Sequence, residues 1–169
     1  MMIEKMKNLK LEKVTLNCGT GTDPARLEKG YKMLSMLSGK KPIRIRSEKR
    51  IPAFGVRPGL QIGCKVTVRK KDAAILLKRL LEAIGNKLKE KQICPSHFEF
   101  GIKEYIEIPG SVYSRDIGIM GLEVCATLRR AGKRIEERKI NRSKIPKRHK
   151  ITKEETINFI KENFKTEVI

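Results

Sequence analysis

From Leu11 to Cys18 apolar and polar residues alternate, with Val14, Leu16 and Cys18 on one side and Lys13, Thr15 and Asn17 on the other. A period of two is the mark of a strand with one buried face. The same pattern returns at Gln61 to Arg69, where Ile62, Cys64, Val66 and Val68 oppose Lys65, Thr67 and Arg69. A shorter copy, Pro42 to Arg46, alternates Ile43 and Ile45 with Arg44 and Arg46. Phe98 to Ile108 and Leu122 to Arg129 alternate too, the latter with Leu122, Val124, Ala126 and Leu128 inward. Between the strands the period lengthens. Asp23 is a helix N-cap with Pro24 at the first helical position, Leu27, Tyr31 and Leu34 share a face, and Gly39 is the stop. Asp72 to Leu88 carries a broad stripe of Ala73, Leu76, Leu77, Leu80, Ile84 and Leu88. A last helix begins at Thr152, capped reciprocally with Glu155, and offers Ile157, Ile160 and Phe164 to the body. These elements predict an α+β fold, a mostly antiparallel sheet with helices packed on one face and the other face open.

Three segments break the periodicity. Ser47 to Leu60 mixes Lys49, Arg50 and Arg57 with Pro52, Gly55, Pro58 and Gly59, a loop too long for a simple hairpin. Pro109 to Gly121 is a second loop, with no role evident in its residues. Lys133 to Lys150 is a basic arm with few apolar groups, expected to be disordered on its own. A length of 169 residues without internal repeats fits one domain spanning 1–169, with the loop 47–60 and the arm 133–150 as its extensions.

Charge then gives the open face a meaning. Lys and Arg number 39 against 19 Asp and Glu, a formal net charge of +20 that favours a polyanion over an acidic small molecule. If all strands present their polar residues to one side, Lys13, Arg44, Arg46, Lys65, Arg69 and Arg129 project beside the neutral hydrogen-bonding groups of Thr15, Asn17 and Thr67. Aromatic residues make up 5% of the chain and Trp is absent, so a platform stacking several bases is poorly supported and folded RNA read by shape fits better. Phe54, between Ala53 and Gly55, is either an exposed contact in the long loop or a plug at the core edge.

Other chemistries find little footing. Cys18, Cys64, Cys94 and Cys125 are far apart in sequence and mostly within strands, which suits a reducing cytoplasm better than a disulfide framework. No C-x-x-C occurs, and only His97 and His149 could assist a zinc site, so no metal or other cofactor is expected. No apolar run approaches the roughly 20 residues of a membrane span, and Met1 to Lys10 lacks a signal-peptide core. Gly19-Thr20-Gly21 resembles the start of a dinucleotide-binding fingerprint, but Pro24 stands where the third glycine belongs and no acidic residue follows on the next strand. His97 reads as a loop residue, and Glu99, Glu104 and Glu107 as a solvated strand face, rather than as catalytic groups. A nucleic-acid scaffold is therefore the leading reading, with a duplex-DNA compacting module and a nucleotide-using enzyme at Gly19 and Gly21 as alternatives.

The runs Lys13-Val14-Thr15-Leu16-Asn17-Cys18-Gly19, Gly39-Lys40-Lys41-Pro42, Ile51-Pro52-Ala53-Phe54-Gly55-Val56-Arg57, Ile62-Gly63-Cys64-Lys65-Val66-Thr67-Val68-Arg69 and Phe100-Gly101-Ile102-Lys103-Glu104 stand in this order. In that combination the chain resembles, end to end, the universal large-subunit ribosomal protein number five, the 5S ribosomal RNA binder. Ile108-Pro109-Gly110 and the run from Lys144 to Glu155 look like its archaeal branch. The resemblance implies a non-enzymatic constituent of the large subunit that attaches 5S rRNA in the central protuberance. It puts 5S-contacting positions at Asn17 and Thr67, with Lys13 and Lys65 nearby; Lys40, where relatives carry Gln, implies a phosphate contact. It implies that the long loop reaches peptidyl-site tRNA through Arg50, Phe54 and Arg57. Arg142, Lys144, Lys147, Arg148, His149 and Lys150 of the arm would hold large-subunit rRNA. Neighbouring proteins of the central protuberance and small-subunit head would be further partners, the chain standing as a monomer within the cytoplasmic ribosome, away from membranes.

Overall fold

The structure, a computed structural model, describes residues 6–169, so the first five residues of the Met1–Lys10 segment lie outside the described residues. In chain order the elements are β1 (Lys10–Gly19), α1 (Pro24–Ser38), β2 (Ile43–Arg46), β3 (Gln61–Arg69), α2 (Lys70–Ala83), β4 (Lys87–Leu88), β5 (Ile93–Cys94), β6 (His97–Ile102), β7 (Leu122–Arg129), α3 (Arg134–Glu137), α4 (Lys153–Phe164) and β8 (Glu167–Val168). Six strands form one sheet in the order β2-β3-β1-β7-β6-β5, every neighbouring pair antiparallel. β4 and β8 form a separate two-residue parallel pair.

The alternation decides which side of this sheet is dry. Val14, Leu16, Cys18, Cys64, Val66, Val68, Val124, Ala126 and Leu128 are all buried, and α1 and α2 cover them with Met33, Leu34, Leu77 and Leu80. Each Val, Leu or Met among these side chains removed from water stabilises the fold by about 1.5–3 kcal/mol, which is the main reason helices and sheet stay together. α1 starts where the Asp23 carboxylate accepts from the Ala25 backbone N–H at 2.9 Å and ends at Gly39 in the left-handed conformation, φ 62°. α4 carries the reciprocal cap, Thr152 accepting from the Glu155 backbone and Glu155 from the Thr152 backbone. It buries Ile160 in the same core.

Several boundaries differ from the sequence expectation. α2 ends at Ala83 rather than Leu88, because Gly85 and Asn86 both take positive φ and turn the chain so that Leu88 enters the core from β4. β6 ends at Ile102 rather than Ile108. Tyr105 and Ile108 are instead buried from a single 3₁₀ turn, and the Tyr105 hydroxyl accepts from the Ser114 backbone at 3.0 Å. The arm is not left loose: α3 and a second 3₁₀ turn at Lys147–His149 give it local structure, and the body holds it. Arg130, at the end of β7, donates to the backbone oxygens of Lys7 (2.9 Å), His149 (3.3 Å) and Lys150 (3.1 Å) and pairs with Glu155.

β2 corrects a second expectation. Ile43 stands opposite Lys65 and Arg44 opposite the buried Cys64, so the isoleucine is on the open side and the arginine on the helical side. Arg44 is satisfied there by an ion pair with Glu28 and by lying 5.4 Å from the centre of the Tyr31 ring, both on α1. β2 is an edge strand beyond the reach of the helical layer's centre, so exposing Ile43 costs little and gives the guanidinium two partners.

Candidate nucleic-acid interface

On the uncovered face β1 and β3 run side by side with their polar residues in register. Lys13 stands opposite Arg69, Thr15 opposite Thr67 and Asn17 opposite Lys65, three successive cross-strand rows. Because side chains alternate strictly, burial of the residues between them forces all six to this side. The rows combine ammonium and guanidinium groups with hydroxyls and an amide, donors that suit phosphate oxygens and riboses.

The positive charge of these rows is partly offset. Glu12 sits at a β-bulge in β1, its side chain 15% exposed, 3.7 Å from Arg69 and 3.4 Å from Arg129. Arg129 is also 3.5 Å from Glu137. Lys13 and Lys65 enter no ion pair among the described residues, which leaves them as the freest cations of the rows. Arg46 stands opposite Gln61 across a second register shift, exposed at the sheet edge. Arg44 leaves the face for the reason given above. Lys40 does not reach it either, since its ammonium is 3.0 Å from Asp72 at the start of α2.

The other half of the same face is not basic. Glu123 stands opposite Asn17 and accepts from its amide nitrogen at 2.9 Å. Glu99 stands opposite Cys125, and His97, a strand residue rather than a loop residue, stands opposite Thr127 and 3.9 Å from Glu99. Burial, with Glu99 as hydrogen-bond acceptor, pushes the Cys125 thiol up to about 11 from an ordinary 9.0. The outward position of Glu123 was readable, since Leu122 and Val124 face inward; its pairing with Asn17 needed the strand order. All four cysteines are free thiols. Among the described residues no cluster of three or more His, Cys, Asp or Glu is arranged for a metal, and no helix is long and apolar enough to cross a membrane.

The long loop is more ordered than its breakers suggested. Ser47 and Leu60 close its base, an isolated bridge joins Ile51 to Val56, and Pro52–Phe54 makes a 3₁₀ turn ending at Gly55 with φ 64°. That turn presents Phe54 to solvent, 72% exposed, with Arg50 and Arg57 exposed beside it, so Phe54 is not a core plug. In the arm Arg142, Lys144, Lys147, Arg148 and Lys150 are exposed. His149 is half-buried, a ring nitrogen 2.8 Å from the Ala131 carbonyl. Sheet rows, loop tip and arm are three separate cationic elements.

The sequence model of the family described as Ribosomal protein L5 matches residues 4–57, and the model for the C-terminus of that family matches residues 61–159. The chain is similar to the large ribosomal subunit protein uL5 of Nanoarchaeum equitans, with 42% identity over 169 residues covering 99% of this chain and 100% of that protein. It is 42% identical over 165 residues to the protein of that description from Sulfolobus acidocaldarius, covering 97% and 93%, and 40% identical over 170 residues to one from Methanococcus maripaludis, covering 98% and 94%.

Proposed function

The chain belongs to the ribosomal protein L5 family, in its archaeal form, as a non-enzymatic constituent of the large ribosomal subunit in the cytoplasm, and on that footing we propose that its open sheet face binds 5S rRNA. The observation that carries this reading is the register of β1 against β3, which lines up Lys13, Thr15, Asn17, Lys65, Thr67 and Arg69 on one uncovered surface. Phosphate contacts from Lys13, Lys65 and Arg69 supply affinity, while the two threonines and Asn17 fix register. Arg46 extends the surface at its edge. Arg44 and Lys40, committed to Glu28 and Asp72, are secondary at most.

The finer partners follow the same logic. Phe54, Arg50 and Arg57 form a projecting tip whose aromatic ring and guanidiniums suit peptidyl-site tRNA, and the arm from Arg142 to Lys150 suits large-subunit rRNA. Neighbouring proteins of the central protuberance and small-subunit head complete the setting, in which residues 1–169 act as one monomeric unit. Support for a single unit comes from one core cluster that takes residues from β1 through α4.

The test is a salt titration of 5S rRNA binding to the full chain. With about six phosphates neutralised, log affinity falls against log salt with a slope of roughly −4 to −5. A flat response would refute the phosphate contacts on which the reading rests, and equal binding to duplex DNA of the same length would refute it in favour of simple charge-driven association.

A further inference from the structure

Beside the cationic rows the open face dips into a trough of about 560 Å³. Thr15 and Asn17 of β1, Glu123 and Cys125 of β7, Glu99 of β6 and Gln92 line it. Gly101 is another lining residue, opposite Glu123, and a Cβ there would meet nothing within 4 Å, so the missing side chain leaves open space at this point of the trough. It shares Thr15 and Asn17 with the rows assigned to 5S rRNA, so an RNA lying on those rows passes over it.

We propose that this trough receives one unstacked nucleobase of the bound RNA, a base carrying an exocyclic amino group, whose N–H groups donate to Glu99 and Glu123. The inference rests on RNA binding by the sheet face and names what that face selects. Two carboxylates on the nucleic-acid side of a chain with net charge +20 repel phosphate, so the sugar-phosphate backbone does not lie across them. A base edge can. Ionised carboxylates accept hydrogen bonds and cannot donate, and so they select an amino group: guanine, cytosine and adenine have one, uracil has none.

Asn17 sets the register between trough and rows. One N–H of its amide is spent on Glu123 at 2.9 Å, which fixes the orientation of the amide and leaves the second N–H and the carbonyl oxygen to be offered to RNA. One carboxylate oxygen of Glu123 remains for the base. The Cys125 thiol, held protonated beside Glu99, adds no third negative charge at neutral pH. Lys91, also in the lining, gives a cation for the phosphate of the extruded nucleotide. A splayed base reading its hydrogen-bonding edge against fixed side chains is the usual route to sequence-specific RNA recognition.

The experiment has two arms, both on the full chain. In the first, 5S rRNA affinity is measured for the wild type, Glu99→Gln and Glu123→Gln. Electrostatics alone makes both variants bind more tightly, because each loses a negative charge facing a polyanion. The trough makes them bind roughly tenfold more weakly, the loss expected for a hydrogen bond to a charged group, at an unchanged salt slope. Tighter or equal binding overturns the proposal. Glu99→Gln is the cleaner variant, since it leaves the Asn17–Glu123 bond in place.

In the second arm the free chain is titrated with GMP, CMP, AMP and UMP while the backbone amides of Glu99, Gly101 and Glu123 are followed by NMR. Shifts at these amides with at least one amino-bearing nucleotide, and smaller ones with UMP, support the trough even if 5S rRNA itself fails to bind, which would sink only the wider reading. Equal response to all four nucleotides, or none, overturns the trough whatever 5S rRNA does.

Discussion

Replacing Arg130 tests what holds the basic arm. The guanidinium is 9% exposed and joins three parts of the chain: the segment before β1 through Lys7, the end of the arm through His149 and Lys150, and α4 through Glu155. Breaking a buried ion pair by removing one partner costs on the order of 3–5 kcal/mol. The Glu155 side chain is 39% exposed, so water screens the charge left behind, and the carbonyls can rehydrate once the arm lifts. Arg130→Met, which keeps the volume, should therefore destabilise by about 3 kcal/mol, or roughly 6–12 °C in Tm for a chain of this length. Arg130→Lys keeps the charge but cannot span four acceptors, and should lose about half as much.

The assay is urea and thermal unfolding followed by far-UV circular dichroism, since the chain has no Trp. Limited trypsinolysis runs beside it, because Lys144, Lys147 and Arg148 become cleavable when the arm detaches. Acidity gives a second check. Burial alone would raise Glu155, but the Thr152 backbone N–H and the Arg130 guanidinium outweigh it and hold the carboxyl below its ordinary 4.5. A depressed carboxylate contributes stability that is present above the unfolded value and lost as pH falls through the folded one. The gap between wild type and Arg130→Met should accordingly narrow below about pH 4.5. A variant within 0.5 kcal/mol of wild type at pH 7, or an arm as resistant to trypsin as before, would refute this account of the latch.

Three further outcomes follow from other parts of the molecule. Gly63→Ala should lower stability by roughly 1–3 kcal/mol, because a Cβ there would sit 2.8 Å from the Cys18 carbonyl; an unchanged melting curve contradicts the packing of β1 on β3. Asn17→Ala and Thr67→Ala should each weaken 5S rRNA binding by about 1 kcal/mol with the melt preserved, and unaltered affinity removes them from the contact surface. Cys125, with its thiol near 11 instead of 9.0, should alkylate with iodoacetamide at pH 8 roughly a hundredfold more slowly than an ordinary thiol, and Glu99→Gln should speed it; a normal rate in the wild type denies the Glu99 contact.

What could be read from the sequence was local. The caps at Asp23, Gly39 and Thr152 lie within a few residues of the groups they satisfy, and the alternation of β1, β3 and β7 is long enough to fix its own phase. Four residues of Ile-Arg-Ile-Arg have no phase of their own. Their facing is set by the pairing of Ile43 with Lys65 and by partners on α1, which lie outside the strand. The overrun of α2 has a similar origin: Leu88 continues the i, i+4 row of Leu80 and Ile84, and only the left-handed turn at Gly85 and Asn86 takes it out of the helix. The arm looked disordered because its own residues bury little. Its anchor, Arg130, lies outside it, one residue past the end of β7.

The sites differ in kind as well as in place, and this divides the work of binding. Of the cations on the sheet rows, Arg69 is partly neutralised by Glu12, and Lys13 and Lys65 are the freest. Three phosphate contacts give a salt slope of roughly −2 to −3, about half of what the whole chain should show. With free 5S rRNA, and no large-subunit rRNA to occupy the arm, the remainder falls to the arm, whose exposed Arg142, Lys144, Lys147, Arg148 and Lys150 face no carboxylate within an ion-pair distance among the described residues. Neutralising those five with Gln should therefore flatten the slope by about half while leaving discrimination between 5S rRNA and duplex DNA intact, since the hydroxyls, the amide and the trough that select RNA remain on the sheet. If discrimination instead collapses with the arm's charge, the sheet face is not where the RNA is chosen.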